Sequence, residues 1–325
     1  MASEFDIIAR YFSFAAAGSG GVVLGVGDDA ALLQAGSEQV MVATDTLVAG
    51  MHFPAAASPE RIASRALAVN LSDFAAMGAI PRWLCLALTL PDNDENWLQA
   101  FASALANGCA QYNVALVGGD TTRGPLTISL TVLGQLPAHA LSCLRRDAAK
   151  PGDDVWVSGA LGAGAAALSL LEPAAAKSAA WRPTAAQAQQ LEQHFYAPEP
   201  RLALGQALVG CAHAAIDISD GLLADAGHIA AASDVQLVLR GDDLPIHEAL
   251  ATLENKQQLQ PWVLAGGDDY ELLFTAARDQ RSKIEAISEQ LGIRCSLVGS
   301  AQAGSGVILQ GANWTMPAAT GFQHF

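Results

Sequence analysis

Five times along this chain an apolar run gives way to small residues and then to aspartate, and the fullest version is LVGGDTTRG at residues 116–124. Residues 114–117 read as a short buried strand bounded by Gly118 and Gly119. The glycine pair lets the backbone turn sharply and approach a ligand closely. Asp120 then stands at the strand's end, with Thr121, Thr122 and Arg123 behind it. The other versions run through 22–29, 41–45, 214–220 and 264–269, and a sixth acid, Asp73, lies in the helix-like NLSD of 70–73. A chain that keeps ending strands on carboxylates is expected to bring them to one cleft.

The spacing of the remaining elements supports that arrangement. Residues 3–12 predict a capped amphipathic helix, 22–26 and 40–44 strands, and 59–78 a helix with Pro59 near its start and Gly78 at its stop. A strand at 83–90, a helix at 93–112 and a strand at 126–134 follow. The polar, irregular stretch 135–150 reads as a boundary. Beyond it come a strand at 154–157, an alanine-rich helix after Gly159, Gly162 and Gly164, and one loose-edged helix within 172–198. Then follow a helix at 200–211, a strand at 214–218, a helix to 232, strands at 235–239 and 272–275, a helix at 280–291 and a strand at 295–298. Strands alternating with helices in both halves give an α/β or α+β protein, divided into domains 1–147 and 148–325. At 325 residues, 51% hydrophobic, the chain can bury two cores.

A net charge of −15 argues against nucleic acid or an anionic membrane as partner. Five scattered cysteines without a C-x-x-C pair suggest reduced thiols in a cytosolic protein. The N-terminus lacks the basic start and apolar core of a signal peptide. The longest uncharged apolar stretch, 155–171, is too short to span a bilayer and is closed by Glu172 and Pro173. A soluble, cytoplasmic protein is expected.

Nine aspartates lie in or beside the strand-end motifs: Asp28, Asp29, Asp45, Asp73, Asp120, Asp217, Asp220, Asp268 and Asp269. Any one of them suits an ordinary turn or helix cap. As a converging set they need a cation, because carboxylates about 4 Å apart repel by several kcal/mol at an effective dielectric near 20. Oxygen donors without a Cys or His cluster select Mg²⁺ or Ca²⁺ over zinc. Since Mg²⁺ takes one or two carboxylates together with substrate phosphates, many single aspartates suit several Mg²⁺ ions on a polyphosphate. Other phosphate binders are missing. Lys150, Lys177, Lys256 and Lys283 are the only lysines and none follows glycine, so there is no phosphate-loop lysine. Gly159, Gly162 and Gly164 have the wrong spacing for a dinucleotide fingerprint and suit close helix packing better. No His-Arg-Asp catalytic loop of protein kinases is present. Phosphates would be held through metal, helped by Arg123, Arg146 and backbone amides. His52, on a glycine loop just after Asp45 and Thr46, is the one histidine beside a site motif.

These residues together resemble the thiamine-monophosphate kinase family. The likeness is carried by GVGDDAAL at 25–32, TDTLV at 44–48 with His52 and Phe53, and AVNLSD at 68–73 with AMGA at 76–79. GGDTTRG at 118–124, IDISDG at 216–221 and GGDDYEL at 266–272 complete it, in order and over nearly the whole chain. The resemblance implies an aminoimidazole-ribonucleotide-synthetase-like fold, with an N-terminal domain that pairs across a homodimer and a C-terminal α/β domain. It implies transfer of the γ-phosphoryl group of ATP to thiamine monophosphate, with several Mg²⁺ ions. Carried over by position, Asp29, Thr44, Asp45, Asp73, Asp120, Asp217 and Asp220 would hold metal. Gly119, Asp120, Arg146 and Ser219 would meet the nucleotide, and His52, Asp268 and Phe322 the thiamine phosphate. Asp120, Asp220 and Arg146 would serve the transfer itself. The family often has Glu where Asp268 stands, which leaves a shorter arm here. Asp28 and Asp269 are expected behind the site or in structural roles. Two alternatives stay open: another ATP-dependent enzyme of the aminoimidazole-ribonucleotide-synthetase type, and a non-catalytic sensor of Mg²⁺ or nucleotide. Selenophosphate synthetase and the hydrogenase-maturation relatives do not fit, since the first needs an N-terminal reactive Cys with Lys and the second a C-terminal cysteine.

Overall fold

A computed structural model describes residues 22–24, 28–35, 38–138, 140–171, 181–253 and 255–322. The expected opening helix, the start of the 172–198 segment and the last three residues lie outside them.

The first sheet comprises β1 (Val22–Leu24), β2 (Ala31–Ala35), β3 (Glu38–Val48), β4 (Ile80–Leu90), β5 (Ala115–Arg123) and β6 (Thr127–Gln135), in the order β1-β2-β3-β6-β4-β5. In β6, Ile128, Leu130 and Val132 are buried while Thr127, Ser129 and Thr131 are not, the period-two signature of a sheet covered on one face. Two helices, α1 (Pro59–Ala76) and α2 (Glu95–Tyr112), cover that face: Ile62, Ala66, Phe101 and Leu105 share one core with Met41, Ile128 and Leu130. Only β4 and β5 run parallel, so a crossover is required, and α2 supplies it. Asp94 caps α2 by accepting from the amides of Asn96 and Trp97, and Asn113 ends it in the left-handed region. Threonine and serine hydroxyls pair on the uncovered face, Thr44 with Thr131 at 2.9 Å and Thr46 with Ser129 at 2.7 Å.

The second sheet has the order β12-β9-β11-β7-β10-β8. Its strands are β7 (Asp154–Ser158), β8 (Ala214–Asp217), β9 (Gln236–Arg240), β10 (Leu272–Ala276), β11 (Cys295–Gln302) and β12 (Gly306–Gln310). Both faces are covered, so β7 and β10 are buried at every position and read as continuous rather than alternating runs. Helices α3 (Ala163–Leu171), α4 (Ala185–Tyr196), α6 (Leu222–Ser233) and α7 (Lys256–Ala265) close one face. Helices α5 (Leu202–Leu208) and α8 (Arg281–Leu291) close the other.

Helix α1 joins the two sheets. A helix covering one sheet needs a single apolar stripe, whereas α1 is buried almost all round. Its far face, with Ala75 and Ala76, shares a core with Leu204 and Leu208 of α5. Gly205 makes this approach possible, because a Cβ there would stand 1.9 Å from the Ala75 carbonyl oxygen.

Several expectations are corrected. Strand β3 runs on to Val48 and β5 to Arg123, so Asp45 and Asp120 sit within strands rather than at their ends. Continued pairing explains both, β3 with β6 as far as Val48↔Thr127 and β5 with β4 as far as Arg123↔Leu90. The stretch 115–117 is not buried: β5 is an edge strand exposed along its length, with Leu116 51% and Val117 58% exposed. The aspartates at 268 and 269 follow a helix, not a strand; Pro261, which argues against a helix interior, lies inside α7. Strands β2 and β12 lie outside the expected set.

Candidate active site between the two sheets

Helix α1 delivers polar groups toward the second sheet from a register set by its own geometry. Asn70 anchors back to the Ala66 carbonyl at 2.8 Å and accepts the Asp45 amide at 3.0 Å, which fixes the middle of β3. The Ser72 hydroxyl donates to Asp217 Oδ2 at 2.6 Å, at the end of β8. Beside them, carboxylate oxygens of Asp29, Asp73 and Asp217 lie within 4.8 Å of one another. Three carboxylates so close cannot all stay ionised unaided. Burial, then Asp45 and Asp217, push Asp73 well above the usual carboxylate range. Burial, then Asp29, push Asp217 up to about 8 and Asp28 up to about 6. Arg146 supplies a counter-charge through Nη2 to Asp29 Oδ1 at 2.5 Å and Nε to Asp29 Oδ2 at 3.2 Å. Asp28 stands behind, accepting the amides of Asp29 at 3.0 Å and Arg146 at 3.2 Å.

A second group lies at the start of α6, where Asp220, Asp225 and His228 offer ligand atoms within 4.8 Å of one another. Buried Asp225 accepts the amides of Asp220 at 3.2 Å and Gly221 at 3.0 Å through Oδ2, which holds the Asp220 turn.

The same turn gathers the third set of residues. The Ser219 carbonyl accepts the Asp268 amide and the Ile218 carbonyl accepts the Tyr270 amide, both at 2.9 Å, while the Phe322 amide donates to the Asp220 carbonyl at 3.0 Å. Ser219, Asp220, Asp268 and Phe322 are therefore pinned side by side. His52 reaches them through Arg65, which donates Nε to the His52 carbonyl at 3.0 Å and Nη2 to Asp268 Oδ1. The His52 ring accepts the Val48 amide on Nδ1 at 2.9 Å, so its neutral form carries the proton on Nε2. Asp269 points elsewhere. It accepts the Gly162 and Gly164 amides at the N-terminus of α3, and burial pushes it up to about 8. That is an anchoring role, and it explains those glycines as helix packing.

Thr44, Gly119 and Asp120 are not brought to the carboxylate cluster of their own chain. The Thr44 hydroxyl lies on the uncovered face of the first sheet with Thr131. The pairings Asp120↔Ala87, Ala87↔Ser129 and Thr46↔Ser129 set Asp120 on that same face. Gly119 has φ 146°, and a Cβ there would stand 1.8 Å from the Leu86 carbonyl oxygen, so strand pairing itself requires glycine. Arg123 Nε donates to the Pro91 carbonyl at 3.2 Å.

Arg65, Asp225, His228 and Tyr270 are site neighbours that the sequence reading missed. Arg65 carried a readable signal: it is a basic residue on the α1 face that repeats through Ile62, Ala66 and Val69 and ends on Asp73.

Comparison with known proteins places the chain among relatives. Residues 27–136 match the AIR synthase related protein N-terminal domain, and residues 150–311 the AIR synthase related protein C-terminal domain. Thiamine-monophosphate kinase of Salmonella typhimurium is 42% identical over 329 residues, covering 99% of this chain and 98% of that protein. The Escherichia coli K12 counterpart is 43% identical over 297 residues, covering 91% and 89%. The crystal structure of thiamine-monophosphate kinase from Stenotrophomonas maltophilia superposes with a TM-score of 0.79 at 46% identity, over 90% of this chain and 92% of that one. AaThiL complexed with AMPPCP and TMP superposes at 0.84 and 29% identity, over 99% and 97%.

Proposed function

The chain belongs to the thiamine-monophosphate kinase family, and on that premise we propose that it transfers the γ-phosphoryl group of ATP to thiamine monophosphate, yielding thiamine diphosphate. The observation that carries this reading is the Asp29, Asp73 and Asp217 cluster, assembled from both sheets in a chain with no phosphate-loop lysine. Relatives support both substrates, since AaThiL has been solved with AMPPCP and TMP.

The donor set of the first group suits Mg²⁺: oxygen ligands only, with burial and then neighbouring carboxylates raising Asp73 and Asp217. Asp29, Asp73 and Asp217 would hold it, with Asp45 alongside and Asp220 from the second group. Bound there, Mg²⁺ supplies charge neutralisation between an incoming dianion and the ATP tetra-anion. The chain's own residues do the rest. The acceptor is already an ionised phosphate oxygen, so no general base is needed. Arg146, held on Asp29 through Nε and Nη2, brings its positive charge to the nucleotide phosphates. Ser219 lies beside Asp220 to meet the nucleotide. His52, Asp268 and the aromatic face of Phe322 hold the thiamine phosphate, with Asp268 suited to its aminopyrimidine and Phe322 to its cationic ring.

Thr44, Gly119 and Asp120 act in this reading at the join of a homodimer whose first sheets meet through their uncovered faces. Apolar exposure of Trp83, paired with Leu133 on that face, and of Val117 at the adjoining edge-strand bulge supports such a partner. The division into 1–147 and 148–325 belongs to the same reading, each unit holding one sheet. No helix among the described residues is long and apolar enough to cross a membrane, and we place the reaction in the cytoplasm.

Incubation with Mg-ATP and thiamine monophosphate, followed by chromatography of the products, tests the proposal. Thiamine diphosphate together with ADP is the expected result. ATP consumed without thiamine diphosphate, or no consumption at all, would sink it.

A further inference from the structure

We infer that Arg65 is a positioning residue for the thiamine-phosphate pocket, holding Asp268 and the His52 loop in one register across the junction of the two sheets. This rests on the reading that Asp268 and His52 face thiamine monophosphate.

Arg65 leaves α1 and is 3% exposed, whereas the Asp268 side chain is 20% exposed. The arginine therefore stands behind the aspartate, on the side away from any ligand. All three arms of its guanidinium are committed. Nε donates to the His52 carbonyl at 3.0 Å, Nη1 to the Phe195 carbonyl of α4 at 2.8 Å, and Nη2 to Asp268 Oδ1. The guanidinium also lies over the Phe195 ring, its carbon 3.9 Å from the centroid, which restricts its tilt. Only arginine has a planar fork that can serve three acceptors in three directions.

Asp268 needs that hold. It has φ 60°, Gly267 φ 65° and Tyr270 φ 50°, so two side-chain-bearing residues of this short loop occupy a region that such residues avoid. Such a conformation persists only where its surroundings over-determine it. Arg65 and the Tyr270 hydroxyl, at 3.1 Å, both bind Oδ1. Oδ2 thereby keeps its direction toward a ligand donor. The same guanidinium fixes the backbone of His52, so the phosphate end and the ring end of the pocket are set by one side chain.

The test uses Arg65→Lys, which keeps the charge and loses the fork, with Asp268→Asn and the double variant. KM for thiamine monophosphate and for Mg-ATP, kcat and melting temperature are measured on each. Arg65→Lys should raise the KM for thiamine monophosphate by about tenfold, with the KM for Mg-ATP within about twofold. The double variant should be no worse than the worse single one, because both changes remove one interaction chain. A lowered melting temperature with both KM values unchanged would reduce Arg65 to structural support and overturn the inference, as would multiplicative losses in the double variant. Failure of the unaltered protein to bind thiamine monophosphate in calorimetry would overturn the proposed function as well. Turnover by the unaltered protein with an unchanged KM in Arg65→Lys would overturn the positioning role alone.

Discussion

Ser72 donates its hydroxyl to Asp217 Oδ2 at 2.6 Å, tying a helix that covers the first sheet to a strand end of the second. Seven residues earlier on the same helix, Arg65 makes the parallel tie to Asp268. Positions seven apart share a helix face, so one face of α1 sets both the carboxylate cluster and the proposed thiamine pocket. The site is thus built at the junction, and the separation of the two sheets is held by side chains of a single helix.

Asp217→Asn should uncouple stability from activity. The buried carboxylate, pushed up to about 8, is ionised only at a cost above that pH. Its amide should therefore raise the metal-free melting temperature at pH 8.5. Turnover should fall by about a hundredfold or more, as when a positioned charge is removed from a phosphoryl-transfer site. Differential scanning calorimetry and steady-state kinetics on one preparation check both halves.

Metal-free stability should decline as pH rises. Asp217 and Asp269 are raised from 3.8 to about 8, so the native state retains protons that the unfolded chain has released. Each group makes stability fall between about pH 4 and pH 8, with a slope of up to about 1.4 kcal/mol per pH unit, and the loss levels off above pH 8. Urea unfolding at pH 5, 6, 7 and 8 measures the slope. Saturating Mg²⁺ should remove the part due to Asp217 and leave that of Asp269, which faces the Gly162 and Gly164 amides.

Mg²⁺ binding at pH 7 should release protons, because Asp217 is largely protonated there before a cation is bound. Titration calorimetry in two buffers of different ionisation enthalpy reads the number released. Equal heats in both buffers would show that this carboxylate stays out of the metal site.

Asp120→Asn separates the edge strand's function from its fold. An exposed position there should change stability by less than about 0.5 kcal/mol, while turnover drops by about a hundredfold or more. Near-normal turnover would leave the LVGGDTTRG stretch with a purely architectural role.

Trp83→Lys with Val117→Lys places two charges on the exposed apolar edge of the uncovered face. A protein that pairs through this face should sediment as a dimer and the double variant as a monomer, with the melting of each protomer little changed. A monomeric unaltered protein would remove the proposed home of Asp120.

Local chemistry makes much of this molecule legible in its sequence. Pro59 and Gly78 bracket α1, the alternation of β6 declares one buried face, and the aspartate motifs mark the carboxylates that meet in the cluster. These signals depend on neighbours within a turn or a strand, which a sequence carries in full. Tertiary structure decided the rest, because faces and burial are set by elements distant in the chain. Asp120 and Asp45 have similar strand contexts, yet pairing register puts Asp120 on the uncovered face and Asp45 on the covered one. Asp268 and Asp269 are adjacent, yet one turns to Arg65 and the other to the amides opening α3. Arg65 itself reads as a stray charge on an apolar stripe until α4, the His52 loop and the 266–271 loop close around it, since two carbonyls and a carboxylate from those three segments make its burial affordable.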